Sequence, residues 1–395
     1  MFLASIYIYA MAIPYALGYG NYKGDGLAGL ISLAEGAGRL DRSMIFMIEG
    51  ILALVLIIIA LVLLFLSFKD VNKVEKDVIK GIRVRSWVET KQNVLEDGFP
   101  YVVSIPALIV TIFIVFIPVA TTILISFTGM DPKHQAKFGW KALSNYKMIA
   151  LGQGVAGGPF WRILGWTIIW TLAATTLAIG LGFILAIVLN NDRVKGKTLF
   201  RTIYLLPWAV PAFITITFFS ILAAPNGGLT KILETIFGTT IRIKDSTVVA
   251  RCVLICIQAW LGSAYVFLLS TGVLQSINKE LYEAADIDGA TSFKKLSKIT
   301  VPLVLFQTAP LLVGQYTFNF NNFSIIWLFN NGGPFSPKEY GNIAGSTDLL
   351  ISYIYKLTTE NQYQAFGAAI SIVISVVLMV IAYMGYRNTE VFKKD

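Results

Sequence analysis

One apolar stretch near the carboxyl end of the chain is unusually rich in uncharged polar side chains, GQYTFNFNNFSIIW at 314–327. If it is helical, Gln315, Asn319 and Asn322 share one face. An amide both donates and accepts hydrogen bonds, as a sugar hydroxyl does, and an aromatic ring covers the C–H face of a pyranose. The stretch is therefore a candidate site for a neutral polyhydroxy ligand. The alternative is that the amides bond across helices and hold a membrane bundle together.

Other residue types exclude most enzyme chemistry. Cys252 and Cys256 are the only cysteines, and they lie four residues apart on one expected helix, where they cannot form a normal disulfide with each other. With His134 as the only histidine, the chain also has too few ligands of this kind for a metal site. Gly196-Lys197-Thr198 looks like the end of a phosphate-binding loop, but the glycine needed five residues earlier is replaced by Asn191. We expect no ATP site and no catalytic residues in this chain.

The composition is that of a membrane protein that crosses the bilayer several times. Of 395 residues, 56% are hydrophobic and 14% charged, and the net charge of +9 is scattered over short loops, which argues against nucleic-acid binding. Carboxylates and cations are missing from the middle of the later spans, which argues against ion-coupled transport. The sequence predicts an all-α membrane protein with about eight transmembrane helices, near 1–19, 44–68, 101–127, 161–190, 199–223, 248–275, 301–330 and 363–386.

These spans suggest a division into three parts. Residues 1–68 would hold two N-terminal transmembrane helices, 69–100 a charged, amphipathic cytoplasmic linker, and 101–390 a six-helix core. An even number of spans puts both termini on one side of the membrane. Pro207 and Pro211 should bend or loosen the fifth span, because each removes a backbone donor.

A charged loop at 278–302 separates the sixth and seventh spans. Asn278 is expected to cap a first short helix, which Gly289 ends, and Thr291 or Ser292 to cap a second. Three lysines should then fall at the far end of that second helix, where the helix dipole favours cations: Lys294, Lys295 and Lys298.

The residue order in this loop resembles a known motif. Glu283-Ala284-Ala285, followed by Gly289 and then by Ile299, Val301 and Pro302, is similar to the EAA loop of permease subunits in bacterial ATP-driven importers. The resemblance implies the type I importer permease fold, with the loop in the cytoplasm and docked on an ATPase subunit. Glu283, Ala284, Ala285 and Gly289 would make that contact, and both termini would be cytoplasmic.

A second resemblance lies in the polar span. FNFNNF at 318–323, the following NGGP and STDLLISYIYKLT at 346–358 resemble the large permease subunit of maltose/maltodextrin importers. The departures, which bear on the choice of sugar, are Trp208 in place of Tyr, Ala212 in place of a small hydroxyl residue and Gln315 in place of Ser. By this resemblance the sugar-binding residues would be Trp208, Leu261, Gly262, Tyr265, Gln315, Tyr316, Phe318, Asn319 and Asn322. For Gly262, close packing between helices is the alternative.

The resemblance also implies the surroundings of the chain. A second permease subunit, two ATPase subunits and an extracellular or periplasmic sugar-binding protein would be its partners in the bacterial cell membrane. ATP and Mg²⁺ would be bound by the ATPases, so that this chain holds no cofactor and is no enzyme. Alternatives are a permease for another neutral oligosaccharide, such as a galacto-oligosaccharide, or for a polyol, and, more remotely, an ion-coupled sugar carrier or a membrane enzyme.

Overall fold

A computed structural model describes residues 13–17, 26–33, 43–83, 86, 88–89, 96, 98–191 and 193–387. Throughout these ranges the regular elements are helices, and one isolated bridge joins Thr128 and Trp140. The chain packs as two compact units, one of residues 1–146 with 362–372 and one of residues 147–361 with 373–395. The predicted division at residues 68 and 100 concerns membrane topology and stays a prediction.

The first unit is built on one long helix. Helices α1 (Ile13–Leu17) and α2 (Gly26–Ser32) pack against α3 (Ser43–Ile79), which continues beyond the predicted end of the second span. After it come α4 (Phe99–Thr111), a π-helical turn (Ile112–Phe116) and α5 (Ile117–Ser126). A small core of Met47, Ile51, Met130, Phe138 and Ala365 holds the unit together. Most of the predicted first span lies outside the described residues.

The second unit contains the other helices. They are α6 (Ser144–Ala150, which begins in the first unit), α7 (Gly154–Gly157), α8 (Phe160–Asn190), α9 (Lys197–Ala209), α10 (Ala212–Leu222), α11 (Gly228–Phe237), α12 (Thr247–Ser276), α13 (Lys279–Ile287), α14 (Ser292–Lys295), α15 (Val301–Phe320), α16 (Phe323–Asn330), α17 (Pro337–Tyr340) and α18 (Leu350–Tyr355). The last helix, α19 (Gln364–Arg387), runs from the first unit into the second.

Helices α8 and α12 pack closely along their length. A Cβ atom on Gly182 of α8 would collide with the backbone oxygen of Ser263 on α12, so the two backbones touch there. Around this pair lies an apolar core that includes Trp170, Leu254 and Phe329, each fully buried. The closest helix pair in the unit thus depends on small residues, as is usual where membrane helices meet.

The all-α membrane fold is confirmed. Within the described residues six helical segments are long and apolar enough to cross a membrane: Ser43–Ile79, Val103–Ser126, Phe160–Asn190, Thr247–Ser276, Ser292–Asn330 and Gln364–Met384. The predicted fifth span is present as two pieces, α9 and α10, which meet at Val210 and Pro211. Val210 is extended (ψ 134°), as expected for a residue before proline. The predicted loosening of this span is confirmed at Pro211, where the helix is interrupted.

The seventh span is not one continuous helix, contrary to the prediction for 301–330. Helix α15 ends at Phe320, and Asn322 precedes α16 with ψ 83° and without a capping hydrogen bond from its side chain. Asparagine side chains compete with the backbone for hydrogen bonds, and here Nδ2 of Asn321 donates to the carbonyl of Thr317 at 3.2 Å. Asn322 therefore does not continue the helical face that carries Gln315 and Asn319.

The segment between α16 and α19 is fastened by a buried ion pair. Nζ of Lys356 lies 2.7 Å from Oδ2 of Asp348, and their side chains are 2% and 0% exposed. Ser352 and the backbone of Gly345 also donate to this carboxylate, while Lys356 donates to the carbonyl of Asn331. Burial raises the pKa of the Asp348 carboxyl, and the Lys356 charge and the hydrogen bonds oppose that shift.

Candidate functional site

The 278–302 loop begins as the sequence predicts. Oδ1 of Asn278 accepts a hydrogen bond from the backbone of Glu280 at 3.0 Å and caps α13. Gly289 follows that helix with a φ of +71°, which glycine adopts without strain. Thr291 then caps α14 by accepting from the backbone of Lys294 at 3.3 Å. Both predicted caps are confirmed.

The end of the second helix differs from the prediction. Helix α14 continues through a π-helical turn, Leu296–Thr300, directly into α15. Lys294, Lys295 and Lys298 therefore lie near the start of a long helical run, where its dipole does not favour cations. Lys295 is held instead by Asp286 of α13, whose Oδ1 lies 2.7 Å from its Nζ.

A second polar contact joins α13 to the beginning of α15. The hydroxyl of Tyr282 lies 2.9 Å from Oγ1 of Thr300, in the π-helical turn. Thr300 is 7% exposed, so this bond is largely shielded from water. Because two polar contacts bridge the Gly289 turn, a displacement of α13 would be passed to α15.

The loop also exposes a surface of small and apolar side chains. Glu283, Ala284 and Gly289 are exposed and Ala285 is half-buried. Sequence reasoning missed two apolar members of this surface, Ile287 and Phe293, which are 87% and 76% exposed. Large apolar residues inside a charged loop were the signal that could have indicated them.

Asn319 is placed deep between helices. Its side chain is 1% exposed, and its Nδ2 donates to Oγ1 of Thr175 on α8 at 2.9 Å. The indole of Trp170 donates to its backbone carbonyl at 3.0 Å. Its side-chain oxygen is buried and has no hydrogen-bond partner among the described residues. In this conformation Asn319 bridges α8 and α15, and it holds an unused acceptor.

Two neighbouring polar residues also bond across helices. The hydroxyl of Tyr316 lies 2.9 Å from Oγ1 of Thr176 on α8. Nδ2 of Asn322 donates to Oε1 of Gln258 on α12 at 3.2 Å. Three helices, α8, α12 and α15, thus contribute uncharged donors and acceptors to one polar region of the second unit.

Thr175 and Thr176 had no place in the predicted site. Threonines at 167, 171 and 175 follow one another at four-residue intervals on an otherwise apolar helix, and that row was the available signal. Only the fold brings Thr175 to Asn319, which is far away in the sequence.

The remaining predicted residues are spread over the unit. Gln315 is half-buried, Phe318 is 60% exposed, and Trp208 is 53% exposed near the break between α9 and α10. On α12, Leu261 packs against the apolar core and Tyr265 is half-buried. A Cβ atom on Gly262 would lie 3.1 Å from Cβ of Ala178, so that glycine serves close packing of α12 against α8.

The chemistry available to this region is hydrogen-bond exchange. Amides and hydroxyls can replace the hydrogen bonds that they make with one another by hydrogen bonds to the hydroxyls of a neutral ligand. Exposed aromatic faces can cover the C–H groups of that ligand. A charged ligand would find no opposite charge among these residues. Reversible binding of a neutral polyhydroxy molecule is the function that this set of side chains suits.

Comparison with known proteins places the chain in a family. Residues 178–389 match the family model of the binding-protein-dependent transport system inner membrane component. The chain is 40% identical to the maltodextrin transport system permease protein MalC of Streptococcus pneumoniae, with 93% of this chain and 87% of that protein covered. It is 38% identical to the galactooligosaccharides transport system permease protein GanP of Bacillus subtilis, with 95% and 90% covered.

A solved structure supports the fold independently. A chain of a bacterial ABC transporter involved in the import of the acidic polysaccharide alginate superposes with a TM-score of 0.63 at 21% identity, and the match covers 77% of this chain and 99% of that one. The family match contains every residue of the predicted sugar site and of the predicted ATPase contact. The chain is a multi-pass membrane protein and a transport component rather than an enzyme, and it belongs to the inner membrane component family of binding-protein-dependent transport systems.

Proposed function

We propose that this chain is a permease subunit of an ATP-driven importer that carries maltose and maltodextrins into the cell. The observation that carries the proposal is the 40% identity to a maltodextrin permease over 93% of this chain. Similarity of that extent includes the 278–302 loop and the segment around the Asp348–Lys356 ion pair.

The polar region supports a neutral oligosaccharide as cargo. Tyr316, Asn319 and Asn322 would exchange their bonds to α8 and α12 for bonds to sugar hydroxyls. Trp208 and Phe318, whose side chains are exposed, would supply the apolar surface for sugar rings. Leu261, Gly262, Tyr265 and Gln315 complete the proposed site.

Asn319 would take part only after a conformational change. Its side-chain oxygen is buried and has no partner among the described residues, so a ligand reaches it when α15 moves away from α8. A site that is closed in one conformation and open in another suits a carrier that exposes its cargo alternately to the two sides.

The energy for that change would come from partner subunits. Two ATPase subunits would bind ATP and Mg²⁺ and press on Glu283, Ala284, Ala285 and Gly289. The contacts of Tyr282 with Thr300 and of Asp286 with Lys295 would transmit the displacement to α15. A second permease subunit would complete the pathway, and a sugar-binding protein would deliver the cargo. In this arrangement the 278–302 loop and both termini are cytoplasmic.

A galacto-oligosaccharide is the second candidate cargo. The identity to the galactooligosaccharides permease is 38%, close to that for the maltodextrin permease. Trp208 and Gln315, where the maltose-type pattern has other residues, change the size and hydrogen bonding of the proposed site. A polyol fits the same chemistry less well, because a linear molecule offers no ring face for the aromatic side chains.

Uptake of radiolabelled maltotriose into vesicles tests the proposal. The vesicles would hold the chain with its co-purifying subunits, with and without internal ATP, and unlabelled maltodextrins and galacto-oligosaccharides would compete. We expect uptake that needs ATP and that maltodextrins inhibit more strongly. Stronger inhibition by galacto-oligosaccharides would favour the second cargo. Uptake by the chain alone, abolished by uncouplers, would refute the ATP-driven function.

A further inference from the structure

Away from the polar region, α12 borders an apolar groove of about 840 Å³. Helices α10 and α11 form its other walls, and on α12 the lining runs from Val248 to Trp260. Trp260 and Phe219 both line the groove, and their rings meet edge-on with 5.6 Å between centroids. That stretch of α12 is about 18 Å long at 1.5 Å per residue. It lies on the half of α12 that is farther from the 278–302 loop.

The groove is separate from the polar region. Each residue turns a helix by about 100°, so Cys256, which lines the groove, lies about 200° around α12 from Gln258. Gln258 bonds to Asn322 on the other side of the helix. None of the residues of the proposed sugar site is among those that line the groove.

The dimensions suit a lipid chain better than a protein helix. Half of the hydrocarbon core of a bilayer is about 15 Å thick, so the groove has roughly the depth of one leaflet. The same face of α12 continues to Phe267, which is 1% exposed and packs edge-on against Tyr204 of α9 at 5.2 Å. A helix that spans both leaflets would collide with α9 there, whereas an acyl chain ends before it.

A cation that can hold a phosphate lies next in sequence to a residue that lines the groove. Arg242 directly follows Ile241, a lining residue, and its side chain is 72% exposed. The nearest carboxylate oxygen, on Asp245, is 3.8 Å from one guanidinium nitrogen. A guanidinium has five N–H donors, so several are available for the phosphodiester of a lipid head group.

We propose that the groove holds one acyl chain of a phospholipid, with the lipid phosphate bound at Arg242. The lining is almost wholly apolar, as a hydrocarbon chain requires, and the charge of Arg242, which follows a lining residue, complements the head group. The lipid would fill the space between α10, α11 and α12 and so support the outer part of the unit next to the broken fifth span.

The two native cysteines provide the first test. Cys252 and Cys256 are the only cysteines of the chain, and both are exposed in the groove. The rate of their reaction with a maleimide would be measured on the co-purified complex after delipidation in detergent, and again after one equivalent of dioleoyl-phosphatidylglycerol is added. We expect the lipid to slow the reaction several-fold. The matched control is Leu268→Cys with both native cysteines replaced by alanine. Its single cysteine lies outside the groove, so the lipid should not change the rate of its reaction with the maleimide.

Native mass spectrometry of the same complex provides the second test. Cys256→Trp, which fills the groove at an exposed position, should reduce the number of tightly bound phospholipids by one. Arg242→Gln should weaken phosphatidylglycerol binding about fivefold, and it should leave the binding of dioleoylglycerol, which has no phosphate, unchanged. An equal lipid count for Cys256→Trp and the natural chain would overturn the proposal. A second result would also overturn it. If the cysteines react only in the isolated chain, and are protected in the complex whether or not lipid is present, a partner helix covers the groove.

Discussion

Replacement of Tyr282 by phenylalanine should loosen the connection between the 278–302 loop and the seventh span. The change keeps the ring and removes only the hydroxyl that lies 2.9 Å from Oγ1 of Thr300. With the bond gone, α13 could move under the proposed ATPase contact without moving α15 by the same amount. ATP would then be spent with less sugar carried.

The size of the effect follows from the two contacts that bridge the Gly289 turn. A hydrogen bond of this kind contributes about 0.5–1.5 kcal/mol net. Thr300 keeps a weaker bond to the carbonyl of Lys295, at 3.4 Å, so its hydroxyl is not left without a partner. A loss of about 1 kcal/mol corresponds to about a fivefold change in an equilibrium. The other contact, from Lys295 to Asp286, is worth roughly 0.2–1 kcal/mol, because the Asp286 side chain is 61% exposed.

The assay is the number of maltotriose molecules carried per ATP hydrolysed in vesicles. We expect Tyr282→Phe to lower this ratio by up to about fivefold with little loss of ATP hydrolysis. Asp286→Asn, the matched control on the more exposed contact, should lower it less. Thr300→Val should resemble Tyr282→Phe, and the double variant should be no worse than either one.

Two results would refute this reasoning. Additive effects of the two substitutions would show that the hydroxyls do not act through each other. An unchanged ratio in Tyr282→Phe would show that the motion reaches α15 by another route.

Three further predictions concern the loop, the polar region and the packing. Glu283→Lys should abolish ATP-driven uptake while the subunit still inserts into the membrane, which immunoblotting of membranes and an uptake assay check together; normal uptake would contradict the proposed contact with the ATPase. Asn319→Ala should impair maltotriose uptake more than assembly, and unchanged uptake kinetics would contradict the place of Asn319 in the proposed sugar site. Lys356→Met should destabilise the unit by about 3–5 kcal/mol, because it leaves the Asp348 carboxylate buried without an opposite charge, and Asp348→Asn with Lys356→Met should recover part of that loss. Thermal melts in detergent test both variants, and equal melting points for the single and double variants would contradict the prediction.

Local chemistry predicted several elements of this fold. Capping by Asn278 and Thr291 depends on side chains that reach only two or three residues along the chain, so the sequence contains all the necessary information. The interruption of the fifth span depends on Pro211, which restricts the residue before it.

Contacts over long distances were not predictable in the same way. The bonds from Asn319 to Thr175 and from Asn322 to Gln258 join residues on different helices, and no local pattern pairs them. The assumption of a continuous helix placed Asn322 on the wrong face, because helical periodicity carries no information about where a helix stops inside an apolar span. The π-helical turn at Leu296–Thr300 likewise joined two helices that the charge pattern had suggested were separate.

The buried pair of Asp348 and Lys356 also limits how the sequence of this protein can evolve. Replacing either residue alone leaves one charge enclosed by Ser352, Gly345 and Asn331 with nothing to neutralise it. A lineage that loses one of the two therefore passes through a poorly folded intermediate before it can lose the other. We expect the two positions to be inherited as a unit, either both charged or both replaced.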